Sequence, residues 1–275
     1  MKWRTLLVGK WNWYRPLVSI AFIYLLLALY AVFFAERMLF LPPPPSYGES
    51  KPNLIRIKSE TDGTIAAVHH PAADGMPTLL YSHGNAEDIG HSRELYEIWH
   101  EAGLGVLAYD YPGYGLSHGR PGERSANRAA RAAWDHLMDI GVPPESVVIA
   151  GRSVGSGPAI RLAADVDAGG LVLISPFTSA YAVMIPPWLL PGDRFRNLGL
   201  MPGIRTPLLI IHGENDRVIP ASHGKQLSEA SGADQITWMP IPGTGHNDLF
   251  YLRPDLPDTI AGFAIEVAGN QNFSE

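Results

Sequence analysis

Along this chain the spacing of hydrophobic and polar positions changes period repeatedly, and those changes mark out its elements. The longest feature comes first: Pro16 to Ala35 carries no charge and is mostly Leu, Ile, Val, Ala, Phe and Tyr. As a helix such a run rises about 30 Å, the thickness of a bilayer's hydrocarbon core. Next, Leu41-Pro42-Pro43-Pro44-Pro45-Ser46-Tyr47 predicts a stiff, extended spacer or a chain segment that wraps the domain behind it. From Leu54 the pattern becomes that of a folded domain. Leu54 to Lys58 alternates, Asp62-Gly63 turns, and Thr64 to His69 forms the return strand. Short apolar runs follow at 78–82, 105–109, 147–150, 171–174, 207–211 and 235–241, each reading as a strand. Helical stretches separate them, at 92–102, 125–138, from just after Ser153 to about Asp165, at 221–229 and at 256–267. This alternation predicts an α/β protein: a mostly parallel central sheet with helices on both faces, preceded by one N-terminal transmembrane helix.

One stretch breaks the alternation. Residues 176–205 are rich in proline and glycine and hold no strand. A loop of that length inside a compact domain is usually functional, so it is expected to be a lid-like insertion whose Met184, Trp188 and Leu189 meet the substrate. The expected organisation is a basic, aromatic N-terminus (1–15), an anchor (16–35), a proline-rich spacer (36–53) and a domain over 54–270.

Lys2, Arg4, Lys10 and Arg15 all precede the apolar run, and Trp11, Trp13 and Tyr14 suit an interfacial belt. The positive-inside rule therefore places the N-terminus in the cytoplasm and the domain outside it, in the periplasm if the source is bacterial. A small residue is expected at position −3 of a signal-peptide cleavage site, but Leu29 and Phe33 stand there for cleavage after Ala31 or Ala35, which favours an uncleaved anchor. The net charge of −6 has no basic block beyond the N-terminus, which argues against a nucleic-acid partner. With no cysteine, a thiol nucleophile, a disulfide or a Cys-based metal site is excluded. The histidines form no metal-binding spacing, no dinucleotide or phosphate-loop glycine pattern is placed correctly, and no cofactor or metal is expected.

The candidate chemistry lies at strand ends. Gly151-Arg152-Ser153-Val154-Gly155 is a G-x-S-x-G sequence between a strand and a helix, where glycines two positions either side of a serine permit a tight, strained turn. A serine hydroxyl needs a base, and the base an orienting acid. Asp216 follows the strand at 207–211, and His246 follows the strand at 235–241, giving the order Ser, Asp, His. Asp248 and Glu214 are rival acids, less well placed. Backbone N–H groups of Val154 and of Asn85, in Ser82-His83-Gly84-Asn85-Ala86-Glu87, are candidates for an oxyanion hole, with His83 a structural histidine of that loop.

These blocks, with Tyr109-Asp110-Tyr111-Pro112-Gly113-Tyr114-Gly115, His212-Gly213-Glu214-Asn215-Asp216, Gly245-His246-Asn247-Asp248 and Phe40 to Tyr47, resemble the serine-hydrolase branch of the α/β-hydrolase superfamily. More narrowly they resemble α/β-hydrolase domain-containing proteins thirteen and seventeen and their bacterial relatives. The resemblance covers nearly all of the chain after residue 36. It implies an α/β-hydrolase fold and hydrolysis of carboxylic esters or thioesters on small-molecule, lipid-like or protein-borne acyl groups; seventeen-type members remove palmitate from proteins. Those members anchor through an N-terminal cysteine cluster, whereas this chain has a hydrophobic span that turns the domain away from the cytoplasm. Two other functions compete. A serine peptidase of the prolyl-aminopeptidase type would need acids such as Glu87 and Asp88 to hold a free amine, though these read more simply as caps of a helix beginning near Ile89. An inactive hydrolase fold could instead serve as a tethered interaction module.

Overall fold

The computed structural model describes residues 13–271. The basic and aromatic positions Lys2, Trp3, Arg4, Lys10 and Trp11 lie outside the described residues. In chain order the elements are helix α1 (Arg15–Leu39), strands β1 (Leu54–Ser59), β2 (Gly63–His70) and β3 (Thr78–Ser82), α2 (Arg93–Glu101), β4 (Gly105–Tyr109), α3 (Glu123–Asp139), β5 (Val147–Arg152), α4 (Ser156–Ala163), β6 (Gly170–Ile174), β7 (Leu208–Gly213), α5 (Ser222–Ala230), β8 (Ile236–Ile241), a single turn α6 (Leu249–Leu252) and α7 (Leu256–Gln271).

The strands form one sheet in the order β1-β2-β4-β3-β5-β6-β7-β8. The first hairpin is antiparallel, with Leu54 opposite Val68, and β2 is antiparallel to β4. All later pairings are parallel. The central strands β3 to β7 are buried along nearly their whole length, which is why they read as continuous apolar runs while β1 alternates. Helices α3, α4 and α5 cover one face, contributing Ala129, Ala133, Trp134, Ile160 and Leu227 to its core. Helices α2 and α7 cover the other through Trp99, Ile260 and Ala264, and the Trp99 indole N–H donates to the Pro257 carbonyl at 3.1 Å. All the parallel strands therefore point their C-terminal ends to one edge, where loops after β3, β5, β7 and β8 converge.

Helix α1 runs four residues beyond the expected end of the apolar segment. Nothing in Glu36-Arg37-Met38-Leu39 breaks a helix, and Arg37 in the last turn complements the carbonyl end. It is long and apolar enough to cross a membrane by length and composition. Between Pro16 and Ala35 only Ala28, Ala31 and Ala35 are buried, a stripe on one face. The proline-rich segment after it is no free spacer. Phe40 is 3% exposed against Tyr111, Tyr114 and Phe195, the Ser46 amide donates to Asp88 at 2.7 Å, and the Tyr47 hydroxyl donates to Asp110. It straps the chain across the loop that follows β3. The 176–205 segment contains only short 3-10 turns, at Tyr181–Val183, Asn197–Gly199 and Met201–Gly203.

Candidate active site

Ser153 stands in the turn between β5 and α4 with φ +51°, a left-handed conformation that costs about 1–3 kcal/mol for a non-glycine residue. The two flanking glycines make the turn possible for steric reasons. A Cβ on Gly151 would collide with the Gly155 carbonyl and Ala159, and one on Gly155 would collide with the carbonyls of Ser82 and His83. The turn is thus pressed against the end of β3, and Ser153 projects above the sheet edge.

Three side chains that are far apart in sequence meet there. Ser153 Oγ lies 3.0 Å from His246 Nε2, and His246 Nδ1 lies 2.7 Å from Asp216 Oδ2. The other carboxylate oxygen, Oδ1, accepts the backbone N–H groups of Val218 and Ile219, both at 2.8 Å. Asp216 is therefore fixed on both oxygens. Of the rival acids, Asp248 Oδ1 accepts the Gly245 amide at 2.6 Å and Glu214 is exposed. One further histidine that the sequence reading passed over is buried against Asp216: His212 Nε2 sits 3.3 Å from Oδ2 and donates to the Ile219 carbonyl at 2.8 Å. Its place at the end of β7, four residues before Asp216, was the available signal.

Burial by itself would raise the Asp216 pKa, but the contacts with His212 and His246 and the Ile219 N–H outweigh it and hold the carboxyl well below its ordinary 3.8. A depressed carboxyl stabilises the fold above its unfolded-state pKa, and that contribution is lost as pH falls through the folded value. Asp216→Asn is therefore expected to lower the melting temperature by a constant amount from about pH 5 upward, with the gap closing below about pH 4. Thermal unfolding of both proteins across that range checks it.

The loop after β3 runs beside the serine. A Cβ on Gly84 would make ordinary contact with Ser153 Cβ at 3.8 Å, but it would collide with Glu87 Oε1. The Gly84 N–H donates to Glu87 Oε1 at 2.5 Å, and Arg152 pairs with the same carboxylate at 3.2 Å. Asn85 is held by its side chain: Nδ2 donates to the Leu39 carbonyl at 2.6 Å, while Oδ1 accepts from the Leu41 amide at 2.9 Å and the Tyr114 hydroxyl at 2.7 Å. The segment that leaves α1 is thus clamped to the loop next to Ser153. His83 bonds the Gly84 carbonyl through Nδ1 at 2.8 Å and faces Asp110 through Nε2 at 3.2 Å. Burial would lower the His83 pKa, but Asp110 more than offsets it and the net direction is up. The expected capping by Glu87 and Asp88 is not what forms. Helix α2 begins at Arg93, and Asp88 instead accepts the amides of Gly90 and His91 and binds Ser46. A strap passing over the loop competes for that carboxylate.

Ser153 and His246 open into a cavity of about 630 Å³ with Asn85, Val154, Phe177, Val183 and Met184 in its walls. Met38 and Leu39, from the last turn of α1, form another wall. These two were missed because they lie beyond the uncharged run. Of the three expected substrate contacts, Met184 lines the cavity; Trp188 and Leu189 do not. After Pro186-Pro187 the chain turns, with the Leu189 amide on the Pro186 carbonyl at 2.9 Å, and Trp188 is 81% exposed on the outer surface. Among the described residues no group of three or more potential ligands could hold a metal ion.

Comparison with known proteins places this geometry in context. A family model described as serine aminopeptidase, S33, matches residues 76–198. The α/β-hydrolase domain-containing protein aho-3 of Caenorhabditis elegans is 32% identical over 245 residues, covering 78% of this chain and 73% of that protein. The α/β-hydrolase domain-containing protein 17B of Homo sapiens is 38% identical over 177 residues, covering 62% of this chain and 61% of that protein, so the match spans less than two-thirds of its length. Among solved structures, an esterase of Pyrococcus furiosus superposes with TM-score 0.67 at 19% identity, over 82% of this chain and 97% of that one. The monoacylglycerol lipase of Paleococcus ferrophilus superposes with TM-score 0.60, also at 19% identity, over 74% and 99% respectively. At such identities the likeness is one of fold.

Proposed function

The chain belongs to the α/β-hydrolase family, and from that premise we propose that it is a membrane-anchored serine hydrolase of carboxylic esters or thioesters. The observation that carries the proposal is the continuous relay from Ser153 through His246 to Asp216, opening into a largely apolar cavity. Ser153 Oγ attacks the acyl carbonyl while His246 Nε2 takes its proton. The oxyanion that forms is held by the backbone N–H groups of Asn85 and Val154. Asp216 keeps the imidazole in the tautomer with hydrogen on Nδ1 and stabilises its charged form. His246 then protonates the leaving alcohol or thiol, and a water activated by the same histidine releases the acid from the Ser153 acyl-enzyme. No step of this cycle calls for a cofactor.

The acyl group occupies the space bounded by Val183, Met184 and Phe177, with the 176–205 segment acting as its lid. Val183→Phe is expected to lower kcat/KM for long-chain p-nitrophenyl esters by roughly 10-fold to 100-fold while leaving acetate turnover near wild type, as a filled hydrophobic subsite does. The ratio of the two rates across a chain-length series measures it.

Peptidase action fits the site less well. An amine-binding carboxylate must be free, whereas Glu87 is committed to Gly84 and Arg152, and Asp88 to Ser46 and His91. Labelling of Ser153 by a fluorophosphonate, blocked by esters and not by peptide amides, is the expected result. Release of amino acids from peptides without ester turnover would favour the peptidase, and no labelling at all would favour an inactive interaction module.

Helix α1 is the anchor, with the N-terminus cytoplasmic and the hydrolase domain on the far side of the membrane. The basic residues before Pro16 support that orientation. With the cytoplasmic membrane intact, protease added to its outer face should then cleave loops of the hydrolase domain, and protection of the domain would reverse the topology.

A further inference from the structure

We propose that the tip of the 176–205 segment is seated in the bilayer that α1 crosses, so that the cavity around Ser153 opens onto lipid. This rests on the reading of α1 as a membrane span. The two apolar segments touch: the Tyr181 hydroxyl donates to the Ala31 carbonyl at 3.0 Å, and Gly192 packs on Val32, where a Cβ would sit 3.1 Å from its Cγ2. Ala31 and Val32 belong to the uncharged run, not to the charged turn beyond it.

Helix geometry then leaves little choice. If the bilayer ended short of Ala31 to leave this segment in water, only Pro16 to Tyr30 would remain inside it. Those residues rise about 22 Å, short of the ~30 Å hydrocarbon core, and tilting the helix shortens its reach further. Sliding the helix the other way would draw Arg15 into the core. A spanning α1 carries the tip of the segment into the membrane with it.

The tip's chemistry suits that place. From Pro176 to Gly192 there is no charge, and the charges resume at Asp193 and Arg194. Arg194 pairs with Glu36, the first charge after the span, at 3.2 Å. Both uncharged segments therefore end at one ion pair, the level expected of headgroups. Met184 is 80% and Trp188 81% exposed, an unusual surface for water and an ordinary one for an interfacial aromatic and its apolar neighbour. Backbone demands are met in part: Pro186, Pro187 and Pro191 have no N–H, and the amides of Met184, Ile185 and Leu189 bond carbonyls within the segment. Met184 and Met38 line the cavity between this tip and α1, so its mouth lies at the lipid surface.

Because the chain has no cysteine, single substitutions carry a spin label without background. Full-length Trp188→Cys, Leu25→Cys and Lys225→Cys would be labelled with a nitroxide and placed in phosphatidylcholine vesicles. Circular dichroism would confirm that each has folded. Relaxation by lipid-soluble oxygen would be compared with relaxation by a water-soluble nickel chelate. The expected result is oxygen-dominated relaxation at 188, as at 25 in the middle of α1, and nickel-dominated relaxation at 225 on the domain surface. Nickel-dominated relaxation at 188 with oxygen dominance at 25 overturns the proposal alone. Nickel dominance at both overturns it together with the anchor. Shielding of 188 from both reagents shows a protein covering the tip and overturns it as well.

Discussion

Replacing Ser153 with alanine is expected to lower kcat/KM for p-nitrophenyl esters by roughly 10⁴-fold or more and to abolish fluorophosphonate labelling. The loss is large because the acyl-enzyme can no longer form, and what remains is the contribution of binding and oxyanion stabilisation. Since Ser153 and His246 act as a unit at 3.0 Å, adding His246→Ala should cost little more. The backbone supplies a second measurement. At φ +51° a Cβ is strained whatever it carries, and glycine has none. Ser153→Gly should therefore be as inactive as Ser153→Ala yet more stable by about 1 kcal/mol, since both lack the hydroxyl and differ in strain. Denaturant unfolding of the pair checks this. Ester turnover at the wild-type rate in either would remove Ser153 from the chemistry.

A chain shortened to begin at residue 48 is expected to lose about 10²-fold in kcat on a water-soluble ester, whereas one beginning at residue 36 keeps most of its activity. The shorter chain lacks Leu39 and Leu41, whose backbone groups hold the Asn85 side chain at 2.6 and 2.9 Å. It also loses Phe40, worth about 2–3 kcal/mol of apolar burial, and leaves Asn85 and Asp88 short of partners at about 1–3 kcal/mol each. Those sums approach the stability of a whole domain, so a lowered melting temperature should accompany the fall in rate. Asn85→Ala separates the two effects: it keeps the backbone N–H but frees the loop, and kcat should fall with KM nearly unchanged. Equal rates for the two shortened chains would show that the strap does not organise the site.

Much of the architecture was legible because the strands that matter are buried on both faces. Runs such as Leu171 to Ile174 and Leu208 to Ile211 lack polar alternation, but they are too short for core helices and half β-branched, which marks them as strands. Ser153 and Asp216 could be placed because each lies just beyond such a run, and His246 because it follows the half-exposed edge strand β8; all parallel strands deliver their loops to one edge. Sheet order was not legible. That β4 lies between β2 and β3 depends on crossovers that local periodicity does not encode. The cavity wall was read only in part, since apolar character cannot say which side chains border the cavity: Met184 lies on its rim, whereas Trp188, four residues on and about equally exposed, does not. Met38 and Leu39 were hidden behind Glu36 and Arg37, whose charges mark the end of the uncharged run but not the end of the helix. Glu87 and Asp88 looked like helix caps because nothing local announces a strap arriving from forty residues upstream.

The strap and His246 stand near opposite ends of the chain, and the site needs both. During synthesis the strap is made before the strands of the domain that it crosses. The residues that steady Asn85 are therefore present early, but the histidine that faces Ser153 emerges only after most of the chain has been made. A half-made polypeptide therefore lacks the contact between Ser153 and His246. The order of its elements delays assembly of the site until the domain is nearly whole.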